Sequence, residues 1–477
     1  MIAERAFYQV VESFGVIGPW LVVFAHFGIA LCITVHVLLH KRDVGSSLGW
    51  IGLAWLSPFI GGFFYVVLGI NRVSRRARRL HVPHAPRPAS IAGLAGGHLA
   101  ALDHANSRIT GRPAKPDNSI KIFHNGDEAY PAMLESMAGA KASIGLSSYM
   151  FRTDRTGGTF IAALAAAHQR GVEVRVIIDG VGGGYVLSPA YHALRRAGIP
   201  AGRFIHSPLP WRMPLLNLRS HKKILVIDGH TGFTGGLNIT DDNVQALAPK
   251  TRVVDTHFMV TGPVTSQLTS AFVKDWFFVT NEELTGETWF PALKPSGAAQ
   301  ARVITSGPDR DIEKIEFSVL QAISCARESI KIMTPYFLPD DQIVVALTLA
   351  AMRGIRVDLV IPDRSNHRLV DWATRATIGP MVREGAHIWL GPPPFRHSKI
   401  MTIDGEWSLI GSNNWDIRSF RLNFELSMEV YDKPLAETLG AFIMTHNGEA
   451  LTAAQLEARS VPARLRDAAV RLLMPYL

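Results

Sequence analysis

The pattern of apolar and polar positions opens with two long apolar runs. Trp20–Leu39 is broken only by His26, Thr34 and His36, and Leu48–Ile70 follows as a second run. A helix that crosses a bilayer needs about 20 such residues. Both runs therefore predict spanning helices, joined through the short turn His40–Ser47 as an antiparallel transmembrane hairpin within residues 1–80. A cleaved signal peptide fits poorly: the first run is long, lacks a strongly basic start and leads into a second. His26 and His36 read first as imidazoles facing the partner helix or an interface, and only second as functional groups. Arg72, Arg75, Arg76, Arg78 and Arg79 follow the second run, whereas the turn has Lys41 and Arg42 beside Asp43. The heavier cluster places the rest of the chain in the cytoplasm and suits anionic headgroups.

Residues 81–118 are rich in Pro, Ala, Gly and His and read as a linker, with room for a short helix near Ser90–Ala105. Beyond them the pattern repeats. AKASIGLSSYMF (Ala140–Phe151) matches ARESIKIMTPYF (Ala326–Phe337), and HQRGVEVRVIIDG (His168–Gly180) matches AMRGIRVDLVIPD (Ala351–Asp363). These segments have the β-rich, apolar character of buried strands. Helical patterns lie between them, at Gly158–Gln169 and Asp341–Met352. Strand, helix, strand predicts a βαβ unit and a parallel or mixed sheet covered by helices. The expected fold class is α/β: two similar domains, residues 119–290 and 291–477, packed about a pseudo-two-fold axis.

The strongest repeat is polar. Ser220–Asn238 reads SHKKILVIDGHTGFTGGLN, and His397–Asn414 reads HSKIMTIDGEWSLIGSNN. Both contain H-x-K-x4-D, with Asn ten residues beyond the Asp. Residues two apart on a strand share a face, so His221 projects with Lys223, and His397 with Lys399. Asp228 and Asp404 fall near the far strand end or the next turn, as carboxylates that can orient the imidazoles. Asn238 and Asn414 follow a turn containing Gly235-Gly236 or Gly411-Ser412, and their amides can donate back to the site. The candidate catalytic set is thus His221, Lys223, Asp228, His397, Lys399 and Asp404; the candidate substrate-binding set is Asn238, Asn414, Gly236 and Ser412. A lone His or Lys on a strand is ordinarily a surface or satisfied core group, but the doubled constellation is not an accident of composition.

Two His, two Lys and two amides brought together describe a site for a phosphodiester. One imidazole can attack phosphorus and form a phosphohistidine. The other can protonate the leaving alcohol and then deprotonate the incoming one. The lysines and amides stabilise charge on the phosphoryl oxygens.

Composition narrows the reading without changing it. A chain of 477 residues with 47% hydrophobic content holds two or three domains. A net charge of +9 suits an anionic partner: lipid, nucleic acid or phosphorylated substrate. Cys32 and Cys325 cannot build a disulfide framework and read as small buried hydrophobes. No Cys/His cluster has metal-ligand spacing and no nucleotide-binding glycine-rich loop follows a strand, so neither a metal nor a cofactor is expected.

The two H-x-K-x4-D motifs resemble those of the phospholipase D superfamily. More widely, the chain is similar to the bacterial cardiolipin synthases. That similarity lies in WIGLAWLSPFIGGFFYVVLGINR with its Pro58, Gly61-Gly62, Tyr65 and Gly69, in SSYMFRTDRTG, NLRSHKKILVIDG, TPYFLPD and GSNNWDIRSFRLNFE, and in the terminal RLLMPYL. The resemblance covers nearly all the chain except the linker. It implies a membrane enzyme that passes a phosphatidyl group from one phosphatidylglycerol to the hydroxyl of a second, giving cardiolipin and glycerol without a nucleotide. It implies His221 as nucleophile and His397 as acid and base, an order that the residues themselves, alike in both copies, leave open. Phosphatidylethanolamine as one substrate, a phospholipase D that ends on water, and a nuclease keep the same chemistry. The hairpin argues against the nuclease, and the intact motifs argue against a non-catalytic scaffold.

Three departures from plain repetition remain. Lys222 stands where the second motif has Ser398 and belongs on the opposite strand face. Ser207–Ser220, SPLPWRMPLLNLRS, is unusually apolar and reads equally as a bilayer-dipping loop, suited by Trp211 and Arg212, or as a packed one. In ARLRDAAVRLLMPYL, Leu465, Ala469 and Leu472–Leu473 share a face, with Arg464 and Arg471 elsewhere; packing on the second domain is the first reading and membrane-surface binding the second.

Overall fold

The computed structural model describes residues 2–40, 44–69, 96–204, 218–247, 252–308 and 311–474. Arg72–Arg79, the first part of the linker and most of the apolar loop before the first motif lie outside the described residues. The chain forms two compact units, residues 1–76 and 77–477.

In the first unit, Ile2–His40 is one helix, and its Pro19–His40 part is long and apolar enough to cross a membrane. It is the one such helix among the described residues. The second apolar run departs from expectation. It makes a helix at Val44–Leu56, a second at Pro58–Phe64 and a helical turn at Tyr65–Gly69. Proline lacks the amide hydrogen and clashes with the preceding turn, and the residue before it avoids the helical region; Ser57 is accordingly at φ −149°, ψ 74°. The chain doubles back there. A Cβ on Gly61 would lie 2.7 Å from the Leu53 carbonyl oxygen, and one on Gly62 would lie 3.1 Å from Ile29, so these two glycines allow the close approach. Tyr65 returns to within 5.3 Å of the Trp50 ring and meets His36 Nδ1 at 2.7 Å. Trp55 Nε1 donates to Thr34 Oγ1. At 1.5 Å per residue, the 13 residues of Val44–Leu56 reach about 20 Å, short of the hydrocarbon core of about 30 Å. The second apolar run is thus broken at Ser57 rather than forming one continuous spanning helix.

The second unit is built on one sheet. Its first half supplies β1 (Lys115–His124), β2 (Ser143–Ser148), β3 (Glu173–Asp179), β4 (Ala201–Phe204), β5 (Ile224–Ile227), β6 (Thr231–Gly235), β7 (Val253–Val254) and β8 (Thr256–Thr261). The second half supplies β9 (Ala299–Ser306), β10 (Ser329–Met333), β11 (Phe337–Leu338), β12 (Arg356–Pro362), β13 (His387–Gly391), β14 (Phe395–Arg396), β15 (Ile400–Ile403), β16 (Trp407–Gly411), β17 (Trp415–Asp416), β18 (Glu425–Tyr431) and β19 (Glu449–Leu451). Fifteen of these strands run β19-β13-β12-β10-β15-β16-β18-β9-β1-β8-β6-β5-β2-β3-β4. Outward from the antiparallel β1–β9 seam, the order is the same in both directions, with β19 added at one edge. This is the pseudo-two-fold predicted from the repeats. The βαβ units are present: β2 and β3 run parallel around helix Arg155–Gln169, and β10 and β12 around helix Asp341–Met352.

Each half has its own apolar core, and a third core takes side chains from both, among them Val226 and Phe258 of the first and Ile400 and Met428 of the second. Helix Ala100–Thr110, in the stretch read as a linker, joins the second half. Leu99 and Leu102 enter that core. Asp103 and Glu429 hold the fully buried Arg302 between them. A buried charge is tolerated only when paired in this way.

Candidate active site

Each H-x-K-x4-D motif spans one edge-to-edge strand of the sheet, and its two ends do different work. At the far end, Asp228-Gly229 and Asp404-Gly405 turn the hairpins β5–β6 and β15–β16 with positive φ throughout (51° and 64°; 53° and 65°). Asp228 accepts from the backbone amides of Lys141, Ala142 and Ser143 at 2.7–3.2 Å. Asp404 accepts from Arg327, Glu328 and Ser329 at 2.8–2.9 Å and meets His98 Nε2 at 2.8 Å. Burial pushes the Asp404 carboxyl up, but these donors outweigh it and hold it low. The expectation that Asp228 and Asp404 orient the imidazoles is thus corrected. The four-residue strands β5 and β15, at about 3.3 Å per residue, carry them to the opposite end of the sheet, where they pin the start of β2 and of β10.

At the near end the chain crosses between halves. The His221 amide donates to the Phe424 carbonyl at 2.9 Å, and the His397 amide to the Val254 carbonyl at 2.7 Å. β14, just before His397, pairs in parallel with β7. The side chains cross too. His221 Nδ1 lies 3.0 Å from Glu425 Oε1 and 3.0 Å from the Ser412 carbonyl oxygen, both in the second half. His397 Nδ1 lies 2.7 Å from Asp255 Oδ2, in the first half. Each imidazole therefore donates from Nδ1 and keeps Nε2 for a ligand, with the tautomer set by the other repeat. Lys223 Nζ donates to the His221 carbonyl at 2.8 Å, and Lys399 Nζ to that of His397. Lys399 Nζ also comes within 2.7 Å of His397 Nδ1. Both are donors once Asp255 holds the Nδ1 proton, so the carbonyl is the true partner.

His221, both motif lysines and both carboxylates are buried, and His397 is half-buried. Burial first, then Lys223 and Lys399, drive His221 far below its ordinary value; burial and Lys399 push His397 down to about 3. Lys223 falls to about 7 and Lys399 to about 8, both chiefly through burial. The two carboxylates part company. Burial raises Glu425 to about 7 despite Lys223, whereas Lys399 and His397 outweigh burial and hold Asp255 low. The free site is thus a pair of neutral imidazoles beside two lysines short of counter-charge, a setting that favours an entering anion.

The remaining candidates sit around this centre. Asn238 Oδ1 accepts from the Met150 amide at 3.2 Å, which leaves its Nδ2 for a ligand; Asn414 Oδ1 is buried without a partner. Gly236 and Ser412 serve the carboxylates. A Cβ on Gly236 would lie 2.2 Å from the Asp255 oxygens, and Ser412 Oγ donates to Glu425 Oε2 at 2.5 Å. Lys222 turns to the other face, as expected, and pairs with Asp275 at 2.9 Å. Tyr149 and Tyr336, which follow β2 and β10 one position apart in the repeat, set their rings 5.0 Å from His221 and 6.3 Å from His397. Sequence reasoning missed Asp255, Glu425 and both tyrosines. The signal for Glu425 was available as the last residue of GSNNWDIRSFRLNFE, and that for the tyrosines in the repeated SSYMF and TPYF.

Two repeats, one composite centre and paired His-Lys motifs define the phospholipase D class. The family model described as "Cardiolipin synthase, PLD-like domain" matches residues 133–276 and 319–444. The chain is 31% identical over 459 residues to a cardiolipin synthase of Geobacillus thermodenitrificans, covering 92% of this chain and 91% of that one. It is 30% identical to the major cardiolipin synthase of Bacillus subtilis, covering 93% and 96%. In three dimensions it resembles a phosphatidylserine synthase of Haemophilus influenzae, with a TM-score of 0.59 at 14% identity over 75% of this chain and 95% of that one, a likeness of fold. The chain belongs to the cardiolipin synthase family of phospholipase D-like proteins.

Two predictions follow from the geometry. Asp255→Asn should lower kcat on the order of 10²–10⁴-fold. Asp228→Ala should lower the melting temperature, as backbone amides lose a charged acceptor worth about 1.5–3 kcal/mol per bond, with a far smaller effect on kcat. Rate and thermal melt measured on both variants separate the roles, and equal rate losses would return Asp228 to the histidines. The second concerns pH. Raising pH through the lowered lysine values removes the charge that binds an anion, so kcat/KM should fall from about 7–8 upward. A basic limb near the ordinary lysine value of about 10.4 would contradict the depression.

Proposed function

We propose that the chain transfers a phosphatidyl group from one phosphatidylglycerol to another, releasing glycerol and forming cardiolipin. The repeats at residues 119–290 and 291–477 act as one catalytic body. The observation that carries this reading is the crossed pair of histidine–carboxylate contacts beside two buried lysines. His221 Nε2 attacks phosphorus, forming an N–P bond as the P–O bond to the glycerol headgroup breaks. His397, which takes a proton from solvent at Nε2 as the anionic phosphodiester binds, gives that proton to the departing oxygen. The headgroup hydroxyl of the second phosphatidylglycerol then loses its proton to His397 and attacks phosphorus, and the N–P bond breaks. Lys223, Lys399, Asn238 and Asn414 hold the phosphoryl oxygens.

The asymmetry of the carboxylates supports this order. Glu425, raised toward neutrality, leaves His221 an uncharged nucleophile; Asp255, kept ionised, favours the imidazolium that His397 must become. Burial first and then Lys399 hold His397 unprotonated in the free site, and the charge of the bound anion opposes both.

In the membrane, the first helix crosses at Pro19–His40 while the second run, doubled back at Pro58, re-enters from the side it left. Lys41-Arg42 and Arg72–Arg79 then share one face, the cytoplasmic one, with the catalytic unit. A two-span hairpin would put Lys41 and Arg42 outside.

Purified protein in mixed micelles with labelled phosphatidylglycerol alone should yield cardiolipin and free glycerol. Phosphatidic acid as the main product would make it a hydrolase, and substantial turnover by His221→Ala or His397→Ala would defeat the two-histidine scheme. For the topology, Ser46→Cys should resist a membrane-impermeant thiol reagent in intact cells; rapid labelling would restore the hairpin.

A further inference from the structure

The last described helix, Val461–Arg471, is charged toward the protein and apolar toward solvent. Its inner face carries Asp467, buried and bonded by Arg459 and by Arg466 at 2.7 Å, while the Arg466 guanidinium lies 4.1 Å from the Trp372 ring. Val470 and Met474 pack with Leu338, Val370 and Ala373. The outer face presents Val461, Leu465 and Leu472 at helical spacing, 64%, 66% and 76% exposed. Arg464 and Arg471 are exposed along one flank. A helix that ends in water has the reverse arrangement.

This helix stands at the rim of the active site. The cluster that receives Val470 and Met474 also contains Tyr336, whose ring is 6.3 Å from that of His397. β2, β3 and β4 run parallel and end at the edge where β5 begins, just after His221 and Lys223. The loop after β3 exposes Val186 and Leu187, and helix Arg368–Thr377, which follows the equivalent β12, exposes Leu369. Apolar residues from both repeats thus ring the same edge.

We propose that this rim seats the catalytic unit on an anionic bilayer, with helix Val461–Arg471 lying among the headgroups and its leucines in the acyl boundary. The surface rests on the lipid reading above and extends it to how the lipid is reached. A second copy is a poorer occupant: self-pairing of the stripe would bring like-charged Arg464 and Arg471 flanks together, whereas anionic headgroups complement them.

The test uses the full chain with Cys32→Ser and Cys325→Ser, a polarity-sensitive fluorophore at Leu465→Cys, and vesicles of phosphatidylethanolamine and phosphatidylglycerol. Lipids brominated on the acyl chain should quench the probe and aqueous iodide should not. The same probe at Lys433→Cys, beyond the opposite end of the sheet, should show the reverse. Iodide quenching equal at both positions overturns the proposal, as does protection at position 465 that persists in lipid-free detergent and rises with protein concentration, the mark of a second copy. Leu465→Asp with Leu472→Asp should lower the ratio of vesicle activity to activity on detergent-dispersed short-chain phosphatidylglycerol by roughly tenfold or more, given the transfer cost of two leucines. A lipid-protected probe on a protein inactive toward every phospholipid would uphold the surface and defeat the enzymatic reading.

Discussion

Neither repeat holds a working histidine alone. His221 takes its Nδ1 acceptors from the second half, and His397 takes its acceptor from the first. The consequence is a strict demand on the fold: the two halves must meet at fixed register, or both imidazoles lose tautomer and direction together. The β1–β9 seam and the short β7–β14 pairing meet that demand, and the shared apolar core makes the halves one body. Helix Ala100–Thr110 adds to it by locking Arg302 and Glu429 at the seam side of the second half. Duplication explains why the site can be built this way. A pseudo-two-fold brings equivalent strand ends together, so one sequence motif repeated supplies both His-Lys pairs.

The electrostatics follow from the same closure. Burial puts two lysines beside two imidazoles, and it pushes all four toward their neutral forms despite the carboxylates around them. Such a site is costly to keep empty of anions, and a phosphodiester supplies the missing charge. The arrangement thereby stores a preference for substrate rather than for stability, as expected where perturbed groups cluster. The residues next to the carboxylates show how narrow the tolerance is. Gly236 is the residue that the Asp255 oxygens leave room for, while the longer Glu425 is met by a hydroxyl from Ser412.

The repeats, the βαβ units and the His-Lys placement were legible because they depend on local periodicity and on side-chain alternation along a strand. The roles of Asp228 and Asp404 were not. Spacing along the chain says that they follow the histidine by seven residues, but a strand converts that closeness into separation, and positive φ at Asp228 and Asp404 commits them to a turn. The carboxylates that do face the histidines sit at unequal distances from the motifs and differ in type, so the repeat itself conceals Asp255 and Glu425. The second membrane run was misread for a related reason. Composition records apolarity across Leu48–Ile70, whereas Pro58 and the glycines at 61 and 62 decide that the run folds on itself.

The difference between the two carboxylates gives direction to an otherwise symmetric site. Two identical histidines on a two-fold would compete for the phosphorus, and either could serve as acid. In the proposed scheme, an aspartate held ionised against one and a glutamate raised toward neutrality against the other remove the tie. The bias arises from what surrounds each carboxylate: Lys399 and the His397 ring bear on Asp255, whereas Glu425 shares Ser412 and Asn423 in a fully buried pocket. The two repeats thus keep His, Lys, Asp and Asn alike in the motif, while the acceptors behind the imidazoles differ.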